Sequence, residues 1–471
     1  MSAISSSPAS GTKAAIGSRG WGALLVLCSA IFLEGIDVAM LNIALPSIRA
    51  ELGLSTTALS ALVSAYILGY AGFVLLGGRI ADLFGRRRMF LVALSAFLVF
   101  SLLGGLATEG WMLLVARFVT GLSAAFMTPA GLSLITTNFA EGSQRNQAIM
   151  IYAGTGAAGF SLGLVAGGFL TALSWRWVFF APTILSAIIL VLAVAFLVDT
   201  SARPARRKFD FLGAITLTAA MLLATYGVTR LEHAGTDLAI TLAAFAASAV
   251  FGLAFILIER RSAAPLVRLG ILRTVSLVRA NLAALLYAGS FLGFQFLVSL
   301  YLQEILGWSV TQTSFALLLV GIDAIIAPTL TPKLVARFGN LRVILAGVVF
   351  AIASYALFLR LDLDWTYAAM FPSMLLLGLA FSLAYGPLTI LATDGVADEE
   401  QGLASGLFTT AFQFGGALGL AAASAVAVSA LGAETTPEAR LEALRIALLV
   451  PLGGAVIAGL VLATGLGRRV R

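Results

Sequence analysis

Long runs of apolar residues alternate with short polar segments along almost the whole chain of 471 residues. Most runs hold about 20 residues with few charges, the length that an α-helix needs to cross a bilayer. The pattern therefore predicts fourteen transmembrane helices, numbered here helix 1 to helix 14. Their expected limits are 21–45, 57–78, 88–107, 111–137, 147–171, 177–198, 211–229, 237–258, 278–303, 312–333, 341–360, 366–391, 403–431 and 446–466.

Composition agrees with an all-α polytopic membrane protein. Apolar residues make up 60% of the chain, above the roughly 45–50% of soluble domains. The single cysteine, Cys28, excludes an intramolecular disulfide, and the single histidine, His233, argues against a metal site. The sequence has no G-x-x-x-x-G-K-[ST] phosphate loop, so we expect no cofactor and an ion gradient as the energy source.

The basic residues indicate the orientation. With the N-terminus inside, 22 of the 29 Lys and Arg residues fall on the cytoplasmic side and six fall outside. This asymmetry follows the positive-inside rule and predicts that both termini are cytoplasmic. Because the basic residues lie in short loops between apolar runs, we expect no binding to nucleic acid.

One polar loop occurs twice. At an offset of 254 residues, the segment Arg79–Arg88 lies over Lys333–Arg342 and shares its Phe-Gly pair and last Arg. Such internal repeats are typical of secondary transporters, which bind substrate at the repeat interface. The predicted organisation is a disordered cytoplasmic tail, a six-helix half, a linker with two extra helices, a second six-helix half and a cytoplasmic tail: residues 1–20, 21–198, 199–277, 278–466 and 467–471.

Four ionisable residues fall inside predicted spans and away from their ends: Glu34 and Asp37 in helix 1, Arg117 in helix 4 and Asp323 in helix 10. Such residues are costly in a bilayer and are candidates for function. Asp37 lies about 12 Å and Arg117 about 9 Å below the predicted outer ends of their helices, so the two can pair. Glu34 is one turn from Asp37, and two close carboxyls favour protonation of one of them. We expect a proton relay; the alternative for Asp37 and Arg117 is a static ion pair, and for Asp323 a structural hydrogen bond.

Three acids against one base predict a pocket that prefers cationic or neutral amphipathic compounds. Aromatic and polar side chains supply the remaining contacts of such sites. The polar candidates are Asn42, Tyr66, Gln295 and Gln413, and the aromatic ones are Phe291, Phe294, Phe408 and Phe412. The alternative for each phenylalanine is packing or contact with lipid.

Four motifs together resemble the major facilitator superfamily, and within it the fourteen-helix branch of drug:proton antiporters. GGRIADLFGRRR (77–88) resembles the loop 2–3 motif G-x-L-A-D-R-x-G-R-R-x. The segments 37–46, 117–125 and 159–168 resemble the motifs of helices 1, 4 and 5. Leu164 stands where the helix 5 motif has proline.

The resemblance implies roles for three groups of residues. Asp37 and Arg117 would couple protons, and Asp82 would close a cytoplasmic latch with an arginine or a helix terminus. The latch loop comprises Gly78, Asp82, Gly85, Arg86, Arg87 and Arg88. The helix 5 motif comprises Gly159, Gly163, Gly167 and Gly168, whose lack of side chains permits close helix packing. For the arginines alone, the setting of topology is the simpler alternative.

The predicted function is proton-coupled export of small amphipathic compounds, including drugs or antibiotics, across a bacterial inner membrane. The expected partners are a small-molecule substrate, protons and lipid, and we expect a functional monomer. An uptake permease is the main alternative, because the helix 5 motif lacks its proline. A polytopic membrane enzyme or a non-transporting receptor are further alternatives.

Overall fold

The computed structural model describes most of the chain as helices joined by short loops. The described residues are 18–54, 56–139, 142–197, 210–230, 234–262, 265, 267–397, 400–431 and 436–465. Among them there is no β-strand. Most of the predicted N-terminal tail, the basic segment 203–208, His233 and the tail 467–471 lie outside the described residues.

Seventeen α-helices are present in these stretches. In chain order they are α1 (Ser18–Leu52), α2 (Thr56–Phe84), α3 (Arg86–Gly105), α4 (Gly110–Asn138), α5 (Ser143–Leu173), α6 (Trp177–Phe196), α7 (Phe211–Arg230), α8 (Ala234–Arg261), α9 (Val275–Leu300), α10 (Val310–Leu317), α11 (Asp323–Thr329), α12 (Thr331–Phe338), α13 (Asn340–Phe358), α14 (Tyr367–Thr393), α15 (Gln401–Leu431), α16 (Pro437–Ala447) and α17 (Leu449–Ala463).

Thirteen helical segments of the described chain are long and apolar enough to cross a membrane. A fourteenth is reached if Phe315–Thr329 and Thr331–Phe338, which meet at 54°, form one bent span. This pair occupies the predicted helix 10, which we expected to be continuous. Pro328 inside α11 and Pro332 at the start of α12 explain the break, because proline has no N–H to continue the helical hydrogen bonds.

The outward surface of the bundle is apolar, as contact with lipid requires. Phe169, Leu173, Val191 and Phe211 are each at least 70% exposed. Several helices extend beyond their predicted limits: α1 continues to Leu52 and α2 to Phe84. Hydropathy marks the apolar part of a span, whereas the hydrogen bonds of the helix continue past it into polar residues.

In each half, glycines allow the first and fifth helices to pack closely. In the first half, a Cβ atom on Gly159, Gly163 or Gly167 of α5 would lie within 2.4–2.9 Å of α1. In the second half, a Cβ atom on Gly415 or Gly419 of α15 would lie 2.0–2.1 Å from carbonyl oxygens of α9. Glycine permits this close approach of two backbones. Gly168 differs from the other motif glycines, since a Cβ atom there would meet open space.

The repeated loop also has the same backbone conformation in both halves. Gly85 separates α2 from α3 with φ +100°, and Gly339 separates α12 from α13 with φ +83°. Residues with a side chain are strained at such angles, so glycine fits both places. The offset of 254 residues found in the sequence joins these two positions and therefore corresponds to a structural repeat.

Candidate functional site

A cavity of about 270 Å³ lies between the two halves. The first half contributes α1 and α5, and the second half contributes α9, α14, α15 and the segment around the start of α11. From the first half it is lined by Ile31, Glu34, Gly35, Val38, Ala153, Gly156, Phe160 and Ser161. From the second half it is lined by Phe291, Leu292, Gln295, Val320, Gly321, Asp323, Phe381, Tyr385, Phe412 and Gln413.

Asp37 and Arg117 form a buried ion pair close to this cavity, although neither residue lines it. The distance from Arg117 Nη1 to Asp37 Oδ2 is 2.6 Å, and each residue is 2% exposed. The guanidinium also stacks on the ring of Tyr66, 4.4 Å from its centre, a favourable cation–π contact. The similar depth estimated from the sequence thus corresponds to a direct contact between α1 and α4. Tyr66 contacts Arg117 and does not line the cavity.

Glu34 lies one turn from this pair and lines the cavity. It is 8% exposed, and its carboxylate accepts a hydrogen bond from the hydroxyl of Thr128 in α4. The sequence analysis missed Thr128. A signal for it exists, because Thr128 is eleven residues after Arg117, close to three helical turns, and therefore lies on the same face of α4.

Asp323 reaches the cavity from the second half. It is the first residue of α11 and is 2% exposed. A 3₁₀ turn (Leu318–Ile322) precedes it, so the backbone changes from one helical form to another at the cavity wall. Discontinuous helices of this kind form the binding sites of many secondary transporters. Glu34 and Asp323 therefore face one cavity from different halves.

Aromatic rings dominate the wall that the second half contributes. The ring centres of Phe291 and Phe381 are 4.6 Å apart, and those of Phe381 and Tyr385 are 5.1 Å apart in a stacked arrangement. Phe412 packs against Tyr385 at 4.9 Å. We did not predict Phe381 and Tyr385. The sequence pattern could have indicated them, because they lie four residues apart in one predicted span, as Phe408 and Phe412 do.

Besides Tyr66, three predicted pocket residues either lie elsewhere or have a side chain outside the described residues. Phe294 is fully buried against Tyr355 and Phe358 of α13, because it lies on a different face of α9 from Phe291 and Gln295. Phe408 is also buried, next to Phe412, and is not among the lining residues. The side chain of Asn42 lies outside the described residues.

The end of α2 contacts the start of α15 at the predicted latch. One carboxylate oxygen of Asp82 pairs with Arg86 at 2.8 Å, and the other accepts a hydrogen bond from the backbone N–H of Leu403 at 3.2 Å. A Cβ atom on Gly78 would lie 2.4 Å from the carbonyl oxygen of Gly402. The two halves are therefore in tight contact at this end.

The other two arginines of the latch loop, Arg87 and Arg88, are placed differently from Arg86. Arg87 donates a hydrogen bond to the carbonyl oxygen of Val194 in α6, within the first half, at 3.1 Å. Arg88 is exposed.

In the described part of the chain, no group of three or more His, Cys, Asp or Glu residues is arranged to hold a metal ion.

Comparison with known proteins agrees with this architecture. The model of the Major Facilitator Superfamily matches residues 27–420. The cephamycin export protein CmcT of Amycolatopsis lactamdurans is 35% identical over 408 residues, which cover 85% of this chain and 83% of that protein. The puromycin resistance protein pur8 of Streptomyces alboniger is 34% identical over 428 residues, covering 88% of this chain and 83% of that protein.

The crystal structure of the human organic anion transporter MFSD10 has the same fold. It superposes with a TM-score of 0.67 at 16% identity and covers 94% of this chain and 97% of that one. Thirteen or more apolar helices, together with the bacterial relatives, fit a multi-pass protein of a bacterial inner membrane. The repeated halves, the cavity between them and the match over residues 27–420 show that this chain belongs to the Major Facilitator Superfamily.

Proposed function

We propose that this protein is a proton-coupled exporter of small amphipathic compounds that works by alternating access. Relatives named for export of cephamycin and for resistance to puromycin support the direction of transport. The position of the cavity between the halves supports the mechanism, because transporters of this kind bind substrate at the repeat interface. We also propose a functional monomer, because the repeat within one chain supplies a wall of the cavity from each half.

The observation that carries the proposal is the position of Glu34. Its carboxyl faces the cavity, one turn from the buried pair of Asp37 and Arg117. A proton bound by Glu34 would remove a negative charge from the cavity wall, and a proton bound by Asp37 would weaken the ion pair with Arg117. Such a change favours one of two conformations of the halves, as coupling requires. Asp323 supplies a second carboxyl on the opposite wall.

The substrate class follows from the charges and rings of the cavity. Glu34 and Asp323 line it, no Lys or Arg is among its described lining residues, and the buried base Arg117 is already paired with Asp37. Aromatic rings on the second wall attract cations and pack on flat apolar molecules. We therefore propose cationic or neutral amphipathic substrates, with Gln295 and Gln413 as polar contacts. Export of anionic compounds alone would contradict this proposal.

We propose that Asp82 stabilises the conformation in which α2 and α15 close this end of the cavity. Its bond to the N–H of Leu403 joins α2 to the first turn of α15, where unpaired backbone N–H groups favour a carboxylate. Since the loop is expected on the cytoplasmic side, this state closes the cavity toward the cytoplasm. Gly78 and Gly85 support the latch by close packing and by a sharp turn.

The experiment measures accumulation of fluorescent cations, neutral amphiphiles and anions in cells that lack other efflux pumps and express this chain. Each compound is measured with and without a protonophore. We expect accumulation to fall about tenfold for some cations or neutral compounds, and the protonophore and Asp37→Asn each to abolish this fall. Asp364→Asn, at an exposed carboxyl, is the control.

The same experiment separates export from uptake. Higher accumulation on expression would indicate the uptake permease, an alternative that Leu164 keeps open because α5 runs uninterrupted from Ser143 to Leu173. Export that survives both the protonophore and Asp37→Asn would contradict proton coupling through this residue. Transport in either direction would agree with a transporter and argue against an enzyme.

A further inference from the structure

A short segment crosses the junction of the two halves beside the latch. It follows α8 and leads into α9, and we call residues 265–274 the strap; Leu266 lies outside the described residues. It contains a 3₁₀ turn at Leu269–Arg273. Two of its apolar side chains, Val267 and Ile271, are only 6% and 5% exposed. The strap is thus packed into the protein and is not a loose connection.

The strap is bonded to the first half at α2. Arg79, itself 6% exposed, donates a hydrogen bond from Nη2 to the carbonyl oxygen of Pro265 at 3.2 Å. Leu75, one turn earlier on α2, belongs to the same buried apolar cluster as Val267 and Ile271. A charged donor that is buried on a carbonyl makes a stronger hydrogen bond than a neutral one.

The strap also contacts the second half at the start of α15. Arg268 Nε lies 3.6 Å from Glu400 Oε1, immediately before α15. Leu403 and Ala404 of α15 belong to the apolar cluster that holds Val267 and Ile271. Leu403 is also the residue whose N–H binds Asp82. The strap and the latch therefore hold the same two helices at the same place.

The two extra helices anchor the strap. Glu259, near the end of α8, accepts a hydrogen bond from the backbone N–H of Val267. The partner helix α7 packs on α2, where a Cβ atom on Gly72 would lie 2.5 Å from Leu222 Cδ2. The inserted pair thus packs mainly on the first half, and the strap extends from it across the junction to the second half.

Alternating access requires α2 and α15 to separate at this end. Resting on the proposed function, we propose that the strap is a second gate, which stabilises the closed junction and must release α15 before the cavity opens there. The pair of Arg268 and Glu400 is the place of release, because Arg268 is 58% exposed and such pairs are weak. The buried bond of Arg79 keeps the strap on α2. This assigns a mechanical role to the inserted helices.

The test uses a cysteine inside the cavity as a reporter of opening. In a Cys28→Ser background, Gln295→Cys lines the cavity, and its rate of reaction with a membrane-impermeant maleimide is measured in inverted vesicles. These vesicles present the side on which we expect the loop between α2 and α3. The readout needs neither a substrate nor a proton gradient, so it remains valid even if no compound is exported.

We expect Arg268→Glu, which repels Glu400, to raise the labelling rate roughly three- to tenfold. The double variant Arg268→Glu/Glu400→Arg, with the charges exchanged, should return the rate to that of the parent. Arg268 is exposed and Glu400 is partly buried, and the double variant keeps both charges, so we expect both variants to fold. Unchanged labelling in Arg268→Glu, or an increase that the exchange does not reverse, would overturn the proposal.

A second variant tests the attachment to the first half. Arg79→Met removes the bond to Pro265, and we expect labelling to rise roughly tenfold, since a hydrogen bond from a charged donor is lost. Arg260→Met, at an exposed arginine on the last turn of α8, is the matched control and should leave the rate unchanged. Equal labelling of the Arg79 variant, the control and the parent would also overturn the proposal.

Discussion

The two repeated halves share a backbone plan but carry different chemistry. At the offset of 254 residues, Gly35 of α1 corresponds to Gly289 of α9, and each packs closely on the fifth helix of its half. Two residues further along, Asp37 in the first half corresponds to Phe291 in the second. The first position holds a buried ion pair with Arg117, whereas the second holds an aromatic contact with Phe381.

This difference separates what the repeat needs for packing from what it needs for transport. Glycine is kept at the helix crossings of both halves, because any side chain there would collide with backbone. The neighbouring positions are free to differ. As a result the first half carries the buried ion pair beside the cavity, and the second half supplies most of the aromatic rings that line it. A complete cavity therefore needs one wall from each half.

The largest expected effect tests whether the glycine crossings are equivalent. Gly163→Val and Gly419→Val should each leave little folded protein in the membrane, because the new side chain would lie against α1 or α9. Gly168→Val, which points into open space, should be tolerated. Size-exclusion profiles of fluorescent fusions measure this. Normal profiles for both crossing variants would show that the halves are not held by these contacts.

The latch provides the next test, since only one copy of the repeat has the acid. Asp82→Asn should reach the membrane normally but transport several-fold more slowly, because the amide binds Arg86 and the N–H of Leu403 less strongly than a carboxylate. Ala336, which corresponds to Asp82 and is exposed, should tolerate Ala336→Asp with little change. Initial transport rates at equal expression measure both. An equal rate in Asp82→Asn would refute the latch.

A smaller effect is expected on the aromatic wall. Phe412→Ala should raise KM about three- to tenfold without a comparable loss of maximal rate, because one ring contact with the substrate is removed. Phe294→Ala is the matched comparison: it removes a core ring and should lower thermal stability while KM stays constant. Concentration series of an exported compound give KM. A larger change of KM in the Phe294 variant would place the substrate elsewhere.

The smallest effect is expected at the ends of the halves opposite the latch. In the first half, Glu51 accepts hydrogen bonds from Arg176 and from Trp175 Nε1, and these lower the pKa of its carboxyl. A lowered pKa in the folded state stabilises the protein above the ordinary pKa of Glu, and this contribution is lost as the pH falls through the folded value. Glu51→Gln should therefore lower the Tm slightly at pH 7 and reduce its dependence on acid pH.

A contact at the same end of the second half differs in kind. Arg445 donates a hydrogen bond to the carbonyl oxygen of Leu361 at 2.7 Å, a neutral acceptor that does not titrate, and it also pairs with Glu442 at 3.2 Å. In a Glu442→Gln background, which removes the titratable partner of Arg445, Arg445→Gln should lower the Tm by a similar small amount, equally at every pH between 4 and 8. Thermal melts of both variants in detergent compare them. A Tm for Glu51→Gln that follows the parent at all pH values would contradict the assignment of the ion pair.

Much of the candidate site could be inferred from the sequence alone. Charges inside apolar runs identified Glu34, Asp37, Arg117 and Asp323, because a bilayer tolerates such groups where they have a use or a partner. Helical rise placed Asp37 and Arg117 at one depth. Rise along a helix does not give its rotation, however, so Phe294 was expected in the cavity and lies in the core instead.

The sequence by itself determined the apolar spans, the repeat and the positions of the buried charges, because hydropathy, periodicity and cost of burial are local properties of the chain. The tertiary structure decided which faces meet. It joined Thr128 to Glu34, gathered Phe381 and Tyr385 into the second wall, and placed the strap across α2 and α15. These contacts depend on the rotation and crossing of helices far apart in sequence, and such geometry emerges only when the whole bundle packs.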